Sequence, residues 1–301
     1  MVDKNSGFQR FLRRNFGTNR SDRTFHTINY ILAFIFGFVM IYPFIYVLIK
    51  SLTVYEVVNG TPREIFSFAA YKRIINDQQI IRSLLTTFTL ILIKEVTVFF
   101  VTFLMAYALS KKYLKGRKIL SMMLLITMYV SGGIISTYIL ITRTLNWKNN
   151  YLTYIIPSCV GAYNVFVVKA FLQRIPDSLE EAALIDGANS LQILFRVYVP
   201  LSGPIIATIG LWEGVALWND WSTGLYYFTD TSKQVFISYL RGVMTGMSTT
   251  ISGDNVDESI MAMGDNIKMA IIVVGVVPIL LVYPFIQKHF VKGMLVGSVK
   301  G

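Results

Sequence analysis

Asp177-Ser178-Leu179-Glu180-Glu181-Ala182-Ala183-Leu184-Ile185-Asp186-Gly187-Ala188, followed further on by Pro200, is the stretch whose reading decides the fold. Ser178 and Glu181 have the spacing of a capping box, in which hydroxyl and carboxylate satisfy orphan amides reciprocally. Leu179, Ala182, Ala183 and Asp186 then recur at helical spacing, and two adjacent alanines let another surface approach closely. Gly187 predicts the end of this helix, because glycine takes a left-handed φ cheaply. A second short helix is expected from Ser190, with Leu191, Leu194, Phe195 and Tyr198 on one face, and Pro200 is expected to stop it. A passive connector lying on the lipid surface is the competing reading. Such a helix would carry leucine and phenylalanine where this one carries alanine and glycine.

The rest of the chain supplies a membrane context. Of its 301 residues 54% are hydrophobic, and the mean hydropathy is +0.54. A helix needs roughly 20 apolar residues to cross a bilayer core. Six runs meet that length, near Ile28–Ile49, Leu84–Leu109, Ile119–Ile141, Leu152–Leu172, Pro204–Tyr227 and Met269–Phe285. Because backbone amides in lipid must bond internally, all six are expected to be helices. The expected fold is therefore an all-α membrane protein with six transmembrane helices. With the N-terminus inside, 16 Lys and Arg fall in inner segments and eight in outer ones. Both termini are thus expected in the cytoplasm. The domain plan is a basic arm over residues 1–27, a membrane domain over 28–290 containing the loop 176–200, and a cytoplasmic tail over 291–301. The first run is longer than the core of a signal peptide and lacks a small-residue cleavage site.

Composition also excludes several functions. The +11 net charge is accounted for by the positive-inside pattern, which argues against a nucleic-acid partner. The chain contains no Gly-x-x-x-x-Gly-Lys-Ser/Thr loop, so ATP is expected on other subunits. Its two histidines, His26 and His289, and its single cysteine, Cys159, form no metal-ligand spacing. Neither a cofactor nor a catalytic residue is expected.

Polar groups at membrane depth are candidates for a translocation path. Trp218, Asn219, Asp220 and Trp221 lie about 14–17 residues into the fifth run, roughly 21–26 Å along a helix. Indole faces suit the C–H surfaces of sugars, and amide and carboxylate groups suit their hydroxyls. An aromatic interfacial belt would explain the tryptophans without Asn219 and Asp220. Lys94 and Glu95 sit mid-run in the second span, where a charge costs on the order of 2.5–3.5 kcal/mol or more. Glu213 is a candidate partner for Lys94, and Glu95 is counted with the path. Ser131, Gly132 and Gly133 allow either close helix approach or local unwinding in the third span.

These segments together resemble the permeases of binding-protein-dependent ABC importers. Glu181-Ala182-Ala183, Asp186-Gly187-Ala188 and Val199-Pro200 look like that family's EAA loop. Ala106-Tyr107-Ala108-Leu109-Ser110-Lys111, Ser131-Gly132-Gly133-Ile134-Ile135-Ser136-Thr137-Tyr138, Trp218-Asn219-Asp220-Trp221 and the tail Gly297-Ser298-Val299-Lys300-Gly301 are similar to its carbohydrate branch. Val197 and Val199 stand where Ile and Leu are commoner, and Ser136 stands where proline is frequent. The resemblance implies a type I importer permease fold in a bacterial cytoplasmic membrane, with cytoplasmic coupling helices. It also implies a second permease, two ATPase subunits, an extracytoplasmic solute-binding protein and an oligosaccharide substrate, moved by alternating access. Carried over, Glu180 and Glu181 would belong to the ATPase-coupling helix, with Glu181 facing basic or polar groups on the ATPase. Ala182, Ala183 and Gly187 would pack on the ATPase, and Asp186 would steady the loop. The outer segment 228–266 would reach the binding protein, and the tail would touch the ATPase pair. The alternative is a stand-alone, gradient-driven secondary transporter, which would show paired ion ligands in symmetric halves.

Overall fold

The computed structural model describes residues 20–58, 61–245 and 265–298. The chain divides into two compact units, residues 1–70 with 265–273 and residues 71–264 with 274–301. Residues 1–19 of the basic arm, 59–60, 246–264 of the segment expected to reach the binding protein, and 299–301 of the tail lie outside the described residues.

The first unit opens with α1 (Arg20–Ser51), an apolar helix of 32 residues with Pro43 inside it. Between it and the second span the chain forms an element the hydrophobic pattern did not predict. Strands β1 (Thr53–Val58) and β2 (Thr61–Phe66) pair antiparallel, with Thr53 opposite Phe66 and Val54 opposite Ile65. Lys50, in the last turn of α1, makes an ion pair with Glu64.

After α2 (Ala69–Asn76), Asp77 starts the helix on which the second unit is built. Its carboxylate accepts from the amides of Gln79 at 2.8 Å and Ile80 at 3.2 Å, satisfying two orphan donors of the first turn. Helix α3 (Gln78–Ser110) then runs 33 residues without glycine or proline and ends where Lys111 turns extended. Helix α4 (Arg117–Tyr129) and α5 (Gly133–Ile139, prolonged by a π-helical turn Leu140–Thr144) meet at an angle of 107°. The break falls at the Ser131-Gly132-Gly133 segment. Gly133 has φ +75°, and its amide donates to the Ser131 hydroxyl at 3.1 Å. Of the two readings open for this segment, the chain adopts the unwound one.

The fourth run is not one helix. It is split into α6 (Leu152–Ile155) and α7 (Ala162–Leu172). Pro157 removes an amide donor, Cys159 donates its own amide back to Ile156 at 3.2 Å, and Gly161 is extended. Cys159 therefore sits in this break rather than mid-helix.

Next come α8 (Asp177–Ile185), α9 (Ser190–Ile193), a π-helical turn (Leu194–Tyr198), α10 (Val199–Leu201) and α11 (Gly203–Trp218). Pro200 does not end the second short helix as expected. It sits in the first turn of α10, where a missing amide costs little. The chain bends by 82° immediately after α10, between Leu201 and Gly203. There the Ser202 hydroxyl donates to the Tyr198 carbonyl at 2.7 Å. The chain continues with α12 (Trp221–Tyr227), a 3₁₀ turn at Thr231–Lys233, α13 (Phe236–Thr245) and the 34-residue α14 (Asp265–Ser298).

Six uninterrupted spans are thus not observed. Among the described residues three helices are long and apolar enough to cross a membrane, within Thr24–Ser51, Gln78–Ser110 and Asn266–Pro284. The number is up to five if each bent pair is one span.

Helix α3 is the spine of two apolar cores. Near its C-terminal end Val98, Phe103, Ala106, Tyr107 and Leu109 pack with Val165, Val168, Leu172, Ile193, Leu194, Tyr198, Ile205 and Ile209. Nearer its N-terminus Leu90 packs with Ile141, Tyr154, Ile155, Leu217, Tyr227, Phe228 and Val235.

Candidate functional site

The segment 176–200 folds as a helix, a glycine break and a second short helix, but its caps differ from those expected. Ser178 is inside α8, not ahead of it. Pro176 is the N-cap and makes no side-chain cap bond, so the Ser178/Glu181 capping box does not form. Proline pre-sets the entry dihedral, and Asp177 and Glu180 place negative charge in the first turn. The capping box lies at α9 instead. The Asn189 side-chain Oδ1 accepts from the Gln192 backbone amide at 2.9 Å, and the Gln192 side-chain Oε1 accepts from the Asn189 backbone amide at 2.9 Å.

The break itself is a Schellman motif. Gly187 has φ +78° and donates to Leu184 O at 3.0 Å, while Ala188 donates to Ala183 O at 2.9 Å. Ala183 and Ala188 both turn against the core at the end of α3. On the opposite side Glu181, Ala182, Leu184, Ile185, Asp186 and Gly187 are exposed. Ile185 is 87% exposed and Leu184 55%. The periodicity of alanines had not marked these two, yet they form the apolar tip of the segment.

Glu180 faces the other way. It makes an ion pair with Lys111 and accepts from the Tyr198 hydroxyl at 2.7 Å. Burial alone would raise its carboxyl. Hydrogen bonds from Lys111 and Tyr198, with the Lys111 charge, outweigh burial and hold it below the usual carboxylate value.

A second polar group lies midway along α3, between the two apolar cores. Lys94 Nζ is 2.9 Å from Glu213 Oε2, and Asn164 Nδ2 donates to Glu213 Oε1 at 2.7 Å. Helices α3, α7 and α11 are thus joined by one buried ion pair and one amide, and the Lys94–Glu213 partnership forms as expected. Glu95 lies beside this pair with Oε1 buried and without a hydrogen-bond partner. It fits because Gly210 and Gly214 have no side chain: a Cβ on either would come within 3.3 Å of its carboxylate.

The four residues Trp218 to Trp221 separate in space. Trp218 is buried, donates from Nε1 to Gly275 O at 3.2 Å, and packs between Phe88 and Phe236. Gly275 makes room for the Phe236 ring, which a Cβ there would meet at 2.7 Å. Asn219 is exposed, its amide donating to Val215 O at 2.8 Å. Asp220 is the N-cap of α12, accepting from Thr223 N at 3.0 Å, Ser222 Oγ at 2.8 Å and Thr223 Oγ1 at 2.6 Å. Trp221 is half-buried and carries the Arg241 guanidinium 3.4 Å from its ring centre. A groove of about 680 Å³ opens beside the N-terminal half of α3, lined by Gln78, Arg82, Thr86, Thr89, Asn150 and Tyr151 among others. None of the path candidates lines it.

Comparison with known proteins bears on this geometry. The sequence pattern of the family described as "Binding-protein-dependent transport system inner membrane component" matches residues 15–296. The polygalacturonan/rhamnogalacturonan transport system permease protein YtcP of Bacillus subtilis (strain 168) is 41% identical over 289 residues, covering 93% of this chain and 99% of that protein. Protein LplC of the same organism is 35% identical over 287 residues, covering 94% and 97%. A solved bacterial ABC transporter involved in import of the acidic polysaccharide alginate contains a chain 30% identical, with a TM-score of 0.81 and coverage of 91% and 99%. The chain is accordingly a multi-pass membrane protein of the importer-permease fold. It belongs to the family of binding-protein-dependent transport system inner membrane components and is a permease subunit of an ABC-type importer.

Proposed function

We propose that the chain is one of two permease subunits that carry an oligosaccharide inward, and that α8 is the helix through which an ATPase subunit drives it. The observation that carries this reading is the two-sidedness of α8. Glu180 and Ala183 hold the helix to the chain. Glu181, Ala182, Leu184, Ile185, Asp186 and Gly187 offer a compact exposed face with an apolar tip. Apolar tips with a polar rim are the usual anatomy of a protein docking patch.

In this reading segment 176–200 and both termini are cytoplasmic, six crossings span residues 28–290, and the broken run Leu152–Leu172 is one of them. The remaining partners are a second permease, two ATPase subunits and an extracytoplasmic solute-binding protein. Docked ATPases would rock the two permeases between inward- and outward-facing states as rigid bodies. The path runs past Trp218–Trp221 and Glu95. Asn219 and Trp221 make the sugar contacts, while Trp218 and Asp220 frame them through their contacts with the rest of the chain.

The cargo we propose is an acidic, uronate-bearing oligosaccharide. Two relatives support it, one named for polygalacturonan and rhamnogalacturonan and one involved in alginate import.

The test is uptake by the reconstituted assembly. Labelled oligogalacturonides should enter proteoliposomes only with ATP and binding protein, and neutral maltooligosaccharides of equal length should not. Gly187→Leu should insert normally and fail to retain the ATPase: a Cβ at 187 meets nothing within the chain, but φ +78° strains any other side chain, so both the break and the docking face are disturbed. Nucleotide-independent uptake would refute the proposal.

A further inference from the structure

Helix α8 has little apolar grip on the rest of the chain. Leu179, Leu184 and Ile185 are exposed, and of its side chains only Ala183 is packed against the core. A helix held by a methyl group would slide when pulled. What fixes it is polar and lies in one place. Lys111, the residue that ends α3, is only 7% exposed. Its ammonium makes the ion pair with Glu180 and donates to the Tyr198 hydroxyl at 3.0 Å. It also lies between two phenol rings, 4.2 Å from the centre of Tyr107 and 4.3 Å from that of Tyr198. Tyr198 in turn donates to Glu180 at 2.7 Å, and the two rings meet edge to face at 5.3 Å. Three elements therefore converge on one desolvated charge: the end of α3, the first turn of α8, and the π-helical turn that leads toward α11.

We infer that Lys111, Glu180 and Tyr198 form a strut that delivers the movement of α8 to α3 and α11, rather than serving only to stabilise the fold. The inference rests on the reading of α8 as the ATPase docking helix. A largely shielded ion pair with shared hydrogen bonds resists displacement in every direction, whereas alanine packing resists only approach. The two helices that receive the motion also carry the buried polar layer, Lys94 and Glu95 on α3 and Glu213 on α11. Displacement at the strut is thus delivered to the helices that meet mid-span. Lys111, Glu180 and Tyr198 are positioning residues. They touch neither nucleotide nor sugar.

The experiment uses the full assembly in proteoliposomes and reads sugar transported per ATP hydrolysed. This ratio is unmoved by a purely structural loss, because both activities then fall together. Lys111→Met should keep the ATPase at wild-type yield and keep ATP hydrolysis, while the ratio falls about tenfold on loss of charge-assisted bonds. Tyr198→Phe, which keeps both charges and the ring, should lower it about threefold, because the hydroxyl's bonds to the ammonium and the carboxylate are lost while the ion pair itself remains. Lys111→Arg, which keeps a cation against both ring faces, should retain most of the ratio. Tyr107→Phe should change nothing, because the Tyr107 hydroxyl has no hydrogen-bond partner. If Lys111→Met does not assemble, Tyr198→Phe decides. A wild-type ratio in Tyr198→Phe or Lys111→Met overturns the strut, as does loss of the ATPase from Tyr198→Phe. Gly187→Leu separates the two claims. If it retains the ATPase and transports normally, the docking reading itself is wrong. If it releases the ATPase while Lys111→Met couples normally, only the strut is wrong.

Discussion

At the C-terminal end of α3 two neighbouring acids, Glu180 and Glu181, part company, and toward its N-terminal half two neighbouring polar residues, Asn219 and Asp220, do the same. Glu180 is enclosed with Lys111 and Tyr198, while Glu181 is exposed. Asp220 spends its carboxylate on the cap of α12, while Asn219 is exposed. Glu180 and Glu181 diverge because successive residues on a helix point about 100° apart, and Asn219 and Asp220 diverge because they form the break between α11 and α12. In each pair one member holds its element in place and the other is exposed. The two ends differ in what the inward member binds. Glu180 bonds across three elements, far apart in sequence. Asp220 bonds only to the next turn, so it fixes a local bend and transmits nothing over distance.

This contrast can be broken by substitution at either end. The largest effect is expected from Glu180→Ala, which strands the Lys111 ammonium in a buried site and should cost about 3–5 kcal/mol. Thermal unfolding of the purified assembly should show it, and Glu181→Ala should stay within about 0.5 kcal/mol of wild type while loosening the ATPase. Equal shifts for the two would erase the distinction. The next effect is local. Asp220→Ala should cost about 1 kcal/mol through loss of the α12 cap, with Asp220→Asn retaining most of it. Asn219→Ala should leave the unfolding curve in place and lower sugar uptake.

The smallest effect is in pH dependence. The folded-state value of Glu180 lies below its ordinary 4.5. Its stabilising contribution is therefore complete above 4.5 and is lost as pH falls through the lower folded value. Acid unfolding of wild type should be steeper in that window than that of Glu180→Gln. Parallel curves would mean the ion pair adds nothing.

Much of this was legible in the residues, for identifiable reasons. Gly187 announced a helix end because a left-handed turn favours glycine, and φ is +78°. Lys94 and Glu213 were expected to pair because neither charge is tolerable alone at membrane depth, and they lie 2.9 Å apart. What was missed was of two kinds. Some local signals were present and outweighed. Pro157 and Gly161 interrupt the fourth run, Asn189-x-x-Gln192 has capping-box spacing, and Asn59-Gly60 between two β-branched runs is a hairpin signal. Hydropathy averaged over about 20 residues conceals all three. The others are tertiary and leave no local trace. Nothing near Lys111 indicates that it meets Glu180 and Tyr198, 69 and 87 residues away. Nor does any pattern tell Trp218, enclosed by Phe88 and Phe236, from the half-buried Trp221. The apolar tip, Leu184 and Ile185, was passed over because leucine and isoleucine read as core until their exposure is seen.

The most direct measurement is site-specific cross-linking in the assembled transporter, with a photoreactive residue at Ile185 and a matched control at Asn219. Docking through α8 requires that position 185 join the ATPase subunit in high yield, and that position 219 not do so. Cross-links from Ile185 to lipid alone, in an assembly that still imports sugar at the expense of ATP, would contradict it.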